Sequence, residues 1–227
     1  MVEAARETAD MKTRIYLLPL WLRLWHWANA ALIIVLATTG ASLHFSDSAF
    51  AVVPFARAAR LHDIAGVAMV VLYIAFVIAN AVTGNWWQYV PKPPGIMERS
   101  LRVMRYYAFG IMRGERDPHE PTPDTNFNDM QASAYLVVMY VAMPIVVITG
   151  LIFMFPQTAP DRLFGFDGLF PVAVLHYVTG AAVVLFAILH VYLGTLGHTA
   201  TSQYKTMITG WHEGDLPSGR TSSRRVR

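Results

Sequence analysis

The sequence predicts an all-α integral membrane protein built as a four-helix bundle. Of its 227 residues, 55% are hydrophobic and only 15% are charged, whereas a soluble domain carries about a quarter of charged residues. Four windows contain no Asp, Glu, Lys or Arg, and each is long enough for a helix to cross a hydrocarbon layer of about 30 Å. These windows are 25–43, 64–90, 131–160 and 168–197.

From the windows we predict transmembrane helices over residues 20–43, 62–84, 131–155 and 171–197. Transmembrane strands are excluded because they would alternate apolar and polar residues, whereas these runs are unbroken. Acidic residues precede the first helix, so we expect it to be retained rather than cleaved as a signal peptide. Residues 1–215 then form a single membrane domain, and residues 216–227 form a disordered basic tail.

Prolines and arginines shape the predicted connections. Pro54 should prevent a long helix within the external loop 44–61, and Pro144 should kink the third helix. Residues 98–113 place arginines three apart among apolar residues, a pattern typical of a helix lying among lipid headgroups.

The basic residues predict the orientation. Cytoplasmic segments of membrane proteins carry the excess of Lys and Arg. Such residues crowd the N-terminal segment, the C-terminal segment and the long loop between helices two and three, whereas the two opposite loops hold only Arg57, Arg60 and Arg162. Both termini and the long basic loop should therefore be cytoplasmic. The net charge of +3 then indicates contact with anionic membrane lipid rather than with nucleic acid.

The chain contains no cysteine. This excludes disulfides, iron–sulfur clusters and thioether-attached haem from the chain itself. Any haem must be held without a covalent bond, and any iron–sulfur or molybdenum centre must belong to another subunit.

Histidines are the strongest functional signal. His176 and His190 lie on the fourth predicted helix, and their spacing puts them about 40° apart on one face and roughly 21 Å apart along the axis. Histidines within membrane spans usually have a functional role. His62 begins helix two at the depth of His176, and His26 begins helix one at the depth of His190. The two pairs predict two stacked sites, each binding the iron of a haem b through two imidazoles.

Small residues support this prediction. An i+4 residue lies beside the histidine on the same helix face, and a planar porphyrin needs that neighbouring turn to be open. Small residues also serve helix packing in membranes, so the pattern alone is not specific. The i+4 residues of the four histidines are Ala30, Gly66, Gly180 and Gly194.

Several alternatives stay open from the residues alone. A membrane histidine can simply bond a neighbouring helix, and His44 could replace His62 at the external site. Arg23 could reach a lipid phosphate or a haem propionate. The remaining histidines are expected in a loop or near the surface, namely His119, His198 and His212.

The sequence closely resembles the transmembrane dihaem cytochrome b subunits that anchor respiratory formate dehydrogenase, nickel–iron hydrogenase and thiosulfate reductase. The resemblance covers about residues 14–214. It rests on residues 23–27 (RLWHW), residues 62–66 (HDIAG) and the paired histidines of helix four. Residues 190–193 (HVYL) and 207–211 (MITGW) look most like the thiosulfate reductase branch.

This resemblance implies a bacterial inner-membrane protein that moves electrons between an external subunit and a quinone, either ubiquinone or menaquinone. The external partner would be a molybdoenzyme with an iron–sulfur subunit, or a multihaem cytochrome c. In the formate dehydrogenase relative, quinone binds at the start of helix three, where Asn128 and Gln131 match. Asp129 departs from the small residue of that relative.

Three other interpretations compete. Asn128 and Asp129 could cap helix three without binding quinone. The chain could be a stand-alone dihaem enzyme that passes electrons from a small external donor, such as superoxide, to quinone. It could also be a transition-metal transporter, although the four uncharged windows lack the carboxylates that such sites usually use.

Overall fold

A computed structural model of the chain describes residues 13–47, 52–115, 117–119, 121–122, 125–197 and 199–214. In chain order, the main helices of these ranges are α1 (Leu20–His44), α2 (Phe55–Thr83), α3 (Ile96–Arg105), α4 (Asp129–Met154), α5 (Leu169–Gly194) and α6 (Ser202–Thr209).

Four of these helices, α1, α2, α4 and α5, are long and apolar enough to cross a membrane. The prediction of an all-α membrane bundle is therefore confirmed. The predicted tail 216–227 and the first twelve residues lie outside the described part of the chain.

The second span begins earlier than predicted, at Phe55 rather than at residue 62. Pro54 does not prevent this helix but occupies its N-cap position, where a missing N–H costs no intrahelical hydrogen bond. Arg57 and Arg60 lie on the added turns. Charge limits how much of a helix lies in hydrocarbon but not where the helix begins, which is why the uncharged window gave a late start.

The third span contains a π-helical turn over Val138–Ala142, directly before Pro144. Proline has no N–H to continue the helical ladder, and the wide turn makes room for its ring. The carbonyl of Met139 faces this interruption and accepts a hydrogen bond of 2.8 Å from the Tyr73 hydroxyl of α2. The irregularity expected at Pro144 is thus a bulge that a neighbouring helix stabilises.

We expect Tyr73→Phe to destabilise the bundle by about 1–3 kcal/mol, since it leaves a buried carbonyl without a donor. In a Pro144→Ala background the new N–H can supply that donor, so the cost of Tyr73→Phe should shrink. Thermal unfolding in detergent would measure this double-mutant cycle. Tyr192→Phe, at a side chain 59% exposed, is the matched control. Equal costs in both backgrounds would contradict this account of the bulge.

The connection between α2 and α4 is structured. It begins with a 3₁₀ turn over Asn85–Tyr89 and continues through α3 into a π turn, Tyr106–Gly110. The arginines of α3 pair with acidic residues: Arg102 with Glu98 at 2.7 Å and Arg105 with Glu115 at 3.5 Å. The opposite face of the segment is apolar and exposed, and it carries Met97, Leu101, Met104, Phe109 and Met112.

The sequence analysis missed four short strands. β1 (Thr13–Tyr16) pairs antiparallel with β4 (Trp211–Gly214) and so joins the two ends of the described chain. β2 (Arg162–Leu163) and β3 (Phe166–Asp167) form a separate hairpin. Gly210 precedes β4 with φ +85°, and a Cβ there would lie 2.7 Å from the Leu18 carbonyl oxygen, so this turn requires glycine.

The termini of the described chain therefore lie at one end of the bundle. The long connection reaches the same end, because Asn126 donates a 3.1 Å hydrogen bond to the Leu17 carbonyl. We call this the inner end, and we call the opposite end, where α1 ends and α2 begins, the outer end. The aromatic core lies on the inner side, where Trp25 stacks on Phe76 with ring centroids 4.2 Å apart.

Candidate functional site

The structure brings the four predicted histidines together as two pairs. His62 of α2 and His176 of α5 form the outer pair, with ring centroids 6.3 Å apart and planes at 72°. His26 of α1 and His190 of α5 form the inner pair, at 6.0 Å and 56°. All four rings are half-buried. The depth matching drawn from helix order corresponds to the pairing seen in the fold.

These separations fit a metal shared by each pair. Imidazole nitrogen binds metals at about 2 Å, so two imidazoles on opposite sides of one ion have ring centres roughly 6 Å apart. Direct hydrogen bonding between the two rings would bring them closer. Each pair therefore has the donor atoms and the spacing that bis-histidine ligation of a haem iron requires.

Two threonine–glycine pairs support the outer histidines. The Thr39 hydroxyl lies 2.9 Å from His62 Nδ1, and the Thr149 hydroxyl lies 2.8 Å from His176 Nδ1. The next residue in each case is a glycine whose added Cβ would lie 3.3 Å from the Cε1 of the same histidine. These glycines are Gly40 on α1 and Gly150 on α4.

Open space borders the outer pair. An added Cβ would meet no atom within 4 Å at Gly66 or at Gly180. Both glycines follow an outer histidine at the i+4 position, where the sequence predicted room for a porphyrin. The outer site thus combines two oriented imidazoles with an adjacent gap.

The inner pair has a different environment. Phe186 stacks on His190 at 5.8 Å, and the Tyr135 hydroxyl lies 3.5 Å from His190 Nδ1. The Nδ1 of His26 is buried and has no hydrogen-bond partner among the described residues. Gly194 is not open as predicted, because an added Cβ would lie 3.2 Å from the ring of Tyr204 on α6.

His44 does not face the outer pair. It is the last residue of α1, it is exposed, and its ring stacks on Tyr177 at 4.2 Å. His62, which lies two turns into α2, is the residue opposite His176. The alternative in which His44 replaces His62 therefore has no geometric support.

Arg23 contacts the helix that follows α5 in the chain. Its guanidinium donates to the backbone carbonyl of Ile208 at the end of α6. Its Nε is buried and has no hydrogen-bond partner in the described chain. Arg23 thus ties α6 to α1 one turn before His26, and Nε remains a donor that a carboxylate could use.

The start of α4 shows the capping interaction that the sequence left open. Asn128 is buried and accepts a 2.8 Å hydrogen bond from the backbone N–H of Gln131, whose side chain accepts one of 3.1 Å from the N–H of Asn128. This reciprocal arrangement is a capping box. Asp129 forms an ion pair with Arg99 of α3. All three predicted quinone residues therefore have structural partners.

Tyr107 is a further polar group at this place that sequence reasoning missed. Burial raises the pKa of the Tyr107 hydroxyl to about 12, and a hydrogen bond with Asn128 opposes that rise. Tyr107 therefore stays protonated at neutral pH and can exchange hydrogen bonds with Asn128. Its position in the long connection, far from Asn128 in sequence, hid the contact.

Two of the other histidines differ from expectation. His212 is not a surface residue, since it is 8% exposed in β4. His119 is half-buried rather than solvated, and burial lowers the pKa of its imidazole. His198 lies outside the described residues. Among the described residues, no three His, Cys, Asp or Glu side chains form a metal cluster, so the transporter hypothesis gains no support.

Four helices of membrane-spanning length, three of which carry half-buried imidazoles in facing pairs, are the arrangement expected of a membrane cytochrome that binds haem b. The sequence matches the prokaryotic cytochrome b561 family over residues 17–210, and the chain belongs to that family. It is 33% identical over 207 residues to the Escherichia coli (strain K12) protein named "Putative cytochrome YdhU". The alignment covers 91% of this chain and 78% of that relative.

No solved structure matches the chain. Family membership and the four apolar helices establish a multi-pass protein of the bacterial inner membrane. The family implies haem b binding, and electron transfer is the activity that such a membrane cytochrome carries out.

Proposed function

We propose that the protein is the membrane subunit of a respiratory oxidoreductase and carries electrons across the bilayer between a periplasmic partner and the quinone pool. His62 and His176 would hold one haem b at the outer end, and His26 and His190 would hold a second at the inner end. The observation that carries this proposal is the presence of two facing imidazole pairs at two levels of one bundle.

Two haem levels fit transfer across the membrane better than a single reaction at one surface. The histidines of α5 lie roughly 21 Å apart along the helix, which is most of the thickness of a hydrocarbon layer. Bound haems b supply one-electron centres at both levels. The surrounding apolar helices exclude water from the space between the levels.

The inner end offers polar groups for a quinone. Reduction of a quinone consumes two protons, and an opening to the cytoplasm would supply them. Asn128, Asp129 and Gln131 lie at this end, and Tyr107 adds a protonated hydroxyl. Their mutual hydrogen bonds hold the start of α4, and we propose that a quinone carbonyl competes for the Asn128 amide or the Tyr107 hydroxyl. Ubiquinone and menaquinone both offer such a carbonyl.

The outer end offers surface for a partner. The hairpin of β2 and β3 lies at the outer end, and Phe164 at its tip is 85% exposed. A molybdoenzyme with an iron–sulfur subunit or a multihaem cytochrome c would dock there. Among such assemblies we propose the thiosulfate reductase type, because residues 190–193 and 207–211 resemble its membrane subunit.

Asn128 provides the sharpest test of quinone binding. Asn128→Asp keeps the oxygen that caps α4 but removes the amide donor, so we expect quinol-driven haem reduction to slow by about tenfold or more with haem content unchanged. Gln157→Glu makes the same amide-to-carboxyl change at an exposed residue of the outer end and is the matched control. Unchanged quinol kinetics in Asn128→Asp would remove this residue from the quinone site.

The stand-alone enzyme remains the second hypothesis, and the same preparation distinguishes the two. Purification in mild detergent should recover a periplasmic redox subunit together with this chain. Recovery of the chain alone, together with rapid reduction of its haem by superoxide, would favour the stand-alone enzyme.

A further inference from the structure

The same local device supports both outer histidines, although they lie on different helices. In each case a helix that runs from the inner to the outer end carries a buried Thr followed by a Gly, and this pair contacts the histidine of the next spanning helix. Thr39 of α1 contacts His62 of α2, and Thr149 of α4 contacts His176 of α5. Thr39 is 2% exposed and Thr149 is 4% exposed. The device appears in both halves of the bundle although the sequence shows no internal repeat.

The hydrogen bonds of the threonines determine which histidine nitrogen carries the proton. Each Thr hydroxyl has one proton, and each lies close to a carbonyl of its own helix: Thr39 is 2.7 Å from the Val35 oxygen, and Thr149 is 2.6 Å from the Ile145 oxygen. With its proton donated there, the hydroxyl oxygen can only accept from histidine. A backbone carbonyl of the facing helix also accepts from each ring, that of Leu36 from His62 and that of Val146 from His176. Nδ1 therefore carries hydrogen, which leaves Nε2 unprotonated and able to bind a metal.

Gly40 and Gly150 make the contact possible. An added Cβ at either position would lie 3.3 Å from the histidine Cε1, closer than ordinary contact. The imidazole therefore lies directly against the helix backbone while its Nδ1 meets the threonine. The ring is fixed both by a hydrogen bond and by packing.

The inner pair lacks this device within the described chain. His26 Nδ1 has no partner there, and His190 Nδ1 meets only the distant Tyr135 hydroxyl, at 3.5 Å. The two sites thus differ in how strongly hydrogen bonds hold the Nδ1 atoms of their histidines. Hydrogen bonding from Nδ1 raises the basicity of a ligating imidazole, and a more basic ligand favours the oxidised metal.

We propose that Thr39 and Thr149 are positioning residues that fix the tautomer and ring orientation of His62 and His176 and lower the reduction potential of the outer haem. The inference rests on the proposed function, because it takes these histidines as iron ligands. It adds a specific role for two threonines and predicts that the potential of one haem depends on them while the other does not.

The test is a potentiometric titration of the purified protein with any partner that it retains. Thr39→Val and Thr149→Val keep the side-chain shape but remove the hydroxyl acceptor, so only the backbone carbonyl of Leu36 or Val146 is left to the histidine. Each should raise the midpoint potential of the outer haem, weaken its retention on the order of tenfold, and leave the inner haem unchanged. Low-temperature electron paramagnetic resonance of the oxidised protein should show a shifted signal for the same haem.

Two matched variants control the experiment. Thr38→Val alters the neighbouring residue, which is exposed and whose hydroxyl donates to the Ile34 carbonyl of its own helix rather than to a histidine, so it should behave as wild type. Thr39→Ser restores a hydroxyl and should restore the potential. If Thr39→Val matches Thr38→Val, or if Thr39→Ser is as altered as Thr39→Val, the hydroxyl has no such role.

Failure of this inference is distinguishable from failure of the proposed function. If His176→Ala removes one haem but the threonine variants leave its potential unchanged, ligation stands and only the role of the threonines is rejected. If His176→Ala retains both haems, the proposed ligand set is rejected first.

Discussion

His176→Ala is expected to remove one of the two haems and to leave the other in place. The substitution takes away the α5 half of the outer pair, and His62 alone cannot supply two axial ligands. His26 and His190 remain, so the inner haem should still be reducible by a quinol. Haem content per protein should fall by about half, measured by extraction and by the reduced-minus-oxidised spectrum.

His44→Ala is the matched control for that loss. His44 lies at the same end of the bundle, is exposed and stacks on Tyr177, so its removal should leave both haems bound. Loss of a haem in His44→Ala with full haem content in His62→Ala would instead restore the alternative ligand that the geometry disfavours.

Gly180→Leu is expected to exclude the outer haem without unfolding the protein. The position faces open space in the polypeptide, and leucine is a far better helix former than glycine, by nearly 1 kcal/mol. If the porphyrin occupies this gap, the added side chain takes its place. The variant should therefore be expressed and folded, with about half the haem of wild type.

Gly66→Leu tests the same gap from α2 and should give the same loss. Ala68→Leu enlarges an exposed residue of the same helix and should retain both haems. A Gly180→Leu protein with full haem content would show that the macrocycle does not lie against this face of α5.

The spans and the pairing of the histidines could be predicted from the sequence because both depend on the order and direction of the helices rather than on side-chain contacts. Uncharged windows locate membrane crossings, and alternating helix direction then sets the depth of each histidine. The start of α2 could not be found this way, since its first turns contain Arg57 and Arg60 and therefore lie outside the uncharged window. Capping of α4 by Asn128 could be predicted as a local pattern, whereas the return bond from the Gln131 side chain was missed.

The support of the outer histidines could not be predicted, because it depends on which helix face each neighbour presents. A Thr-Gly pair near the outer end of both outgoing helices, at Thr39 and Thr149, is a signal in the sequence, but nothing in it identifies a histidine on another helix as the partner. The same holds for Tyr73 and Met139, and for Gly194, whose open turn is filled by Tyr204 of α6. Packing against distant segments decided each case.

The most direct test of the central claim is the haem-to-protein ratio of the purified wild-type chain, combined with a redox titration of its haem absorbance. The account predicts two haems b per chain, released by acidic acetone because no covalent bond holds them, and two separate one-electron transitions. A single haem per chain, or haem that stays attached after extraction, would contradict it.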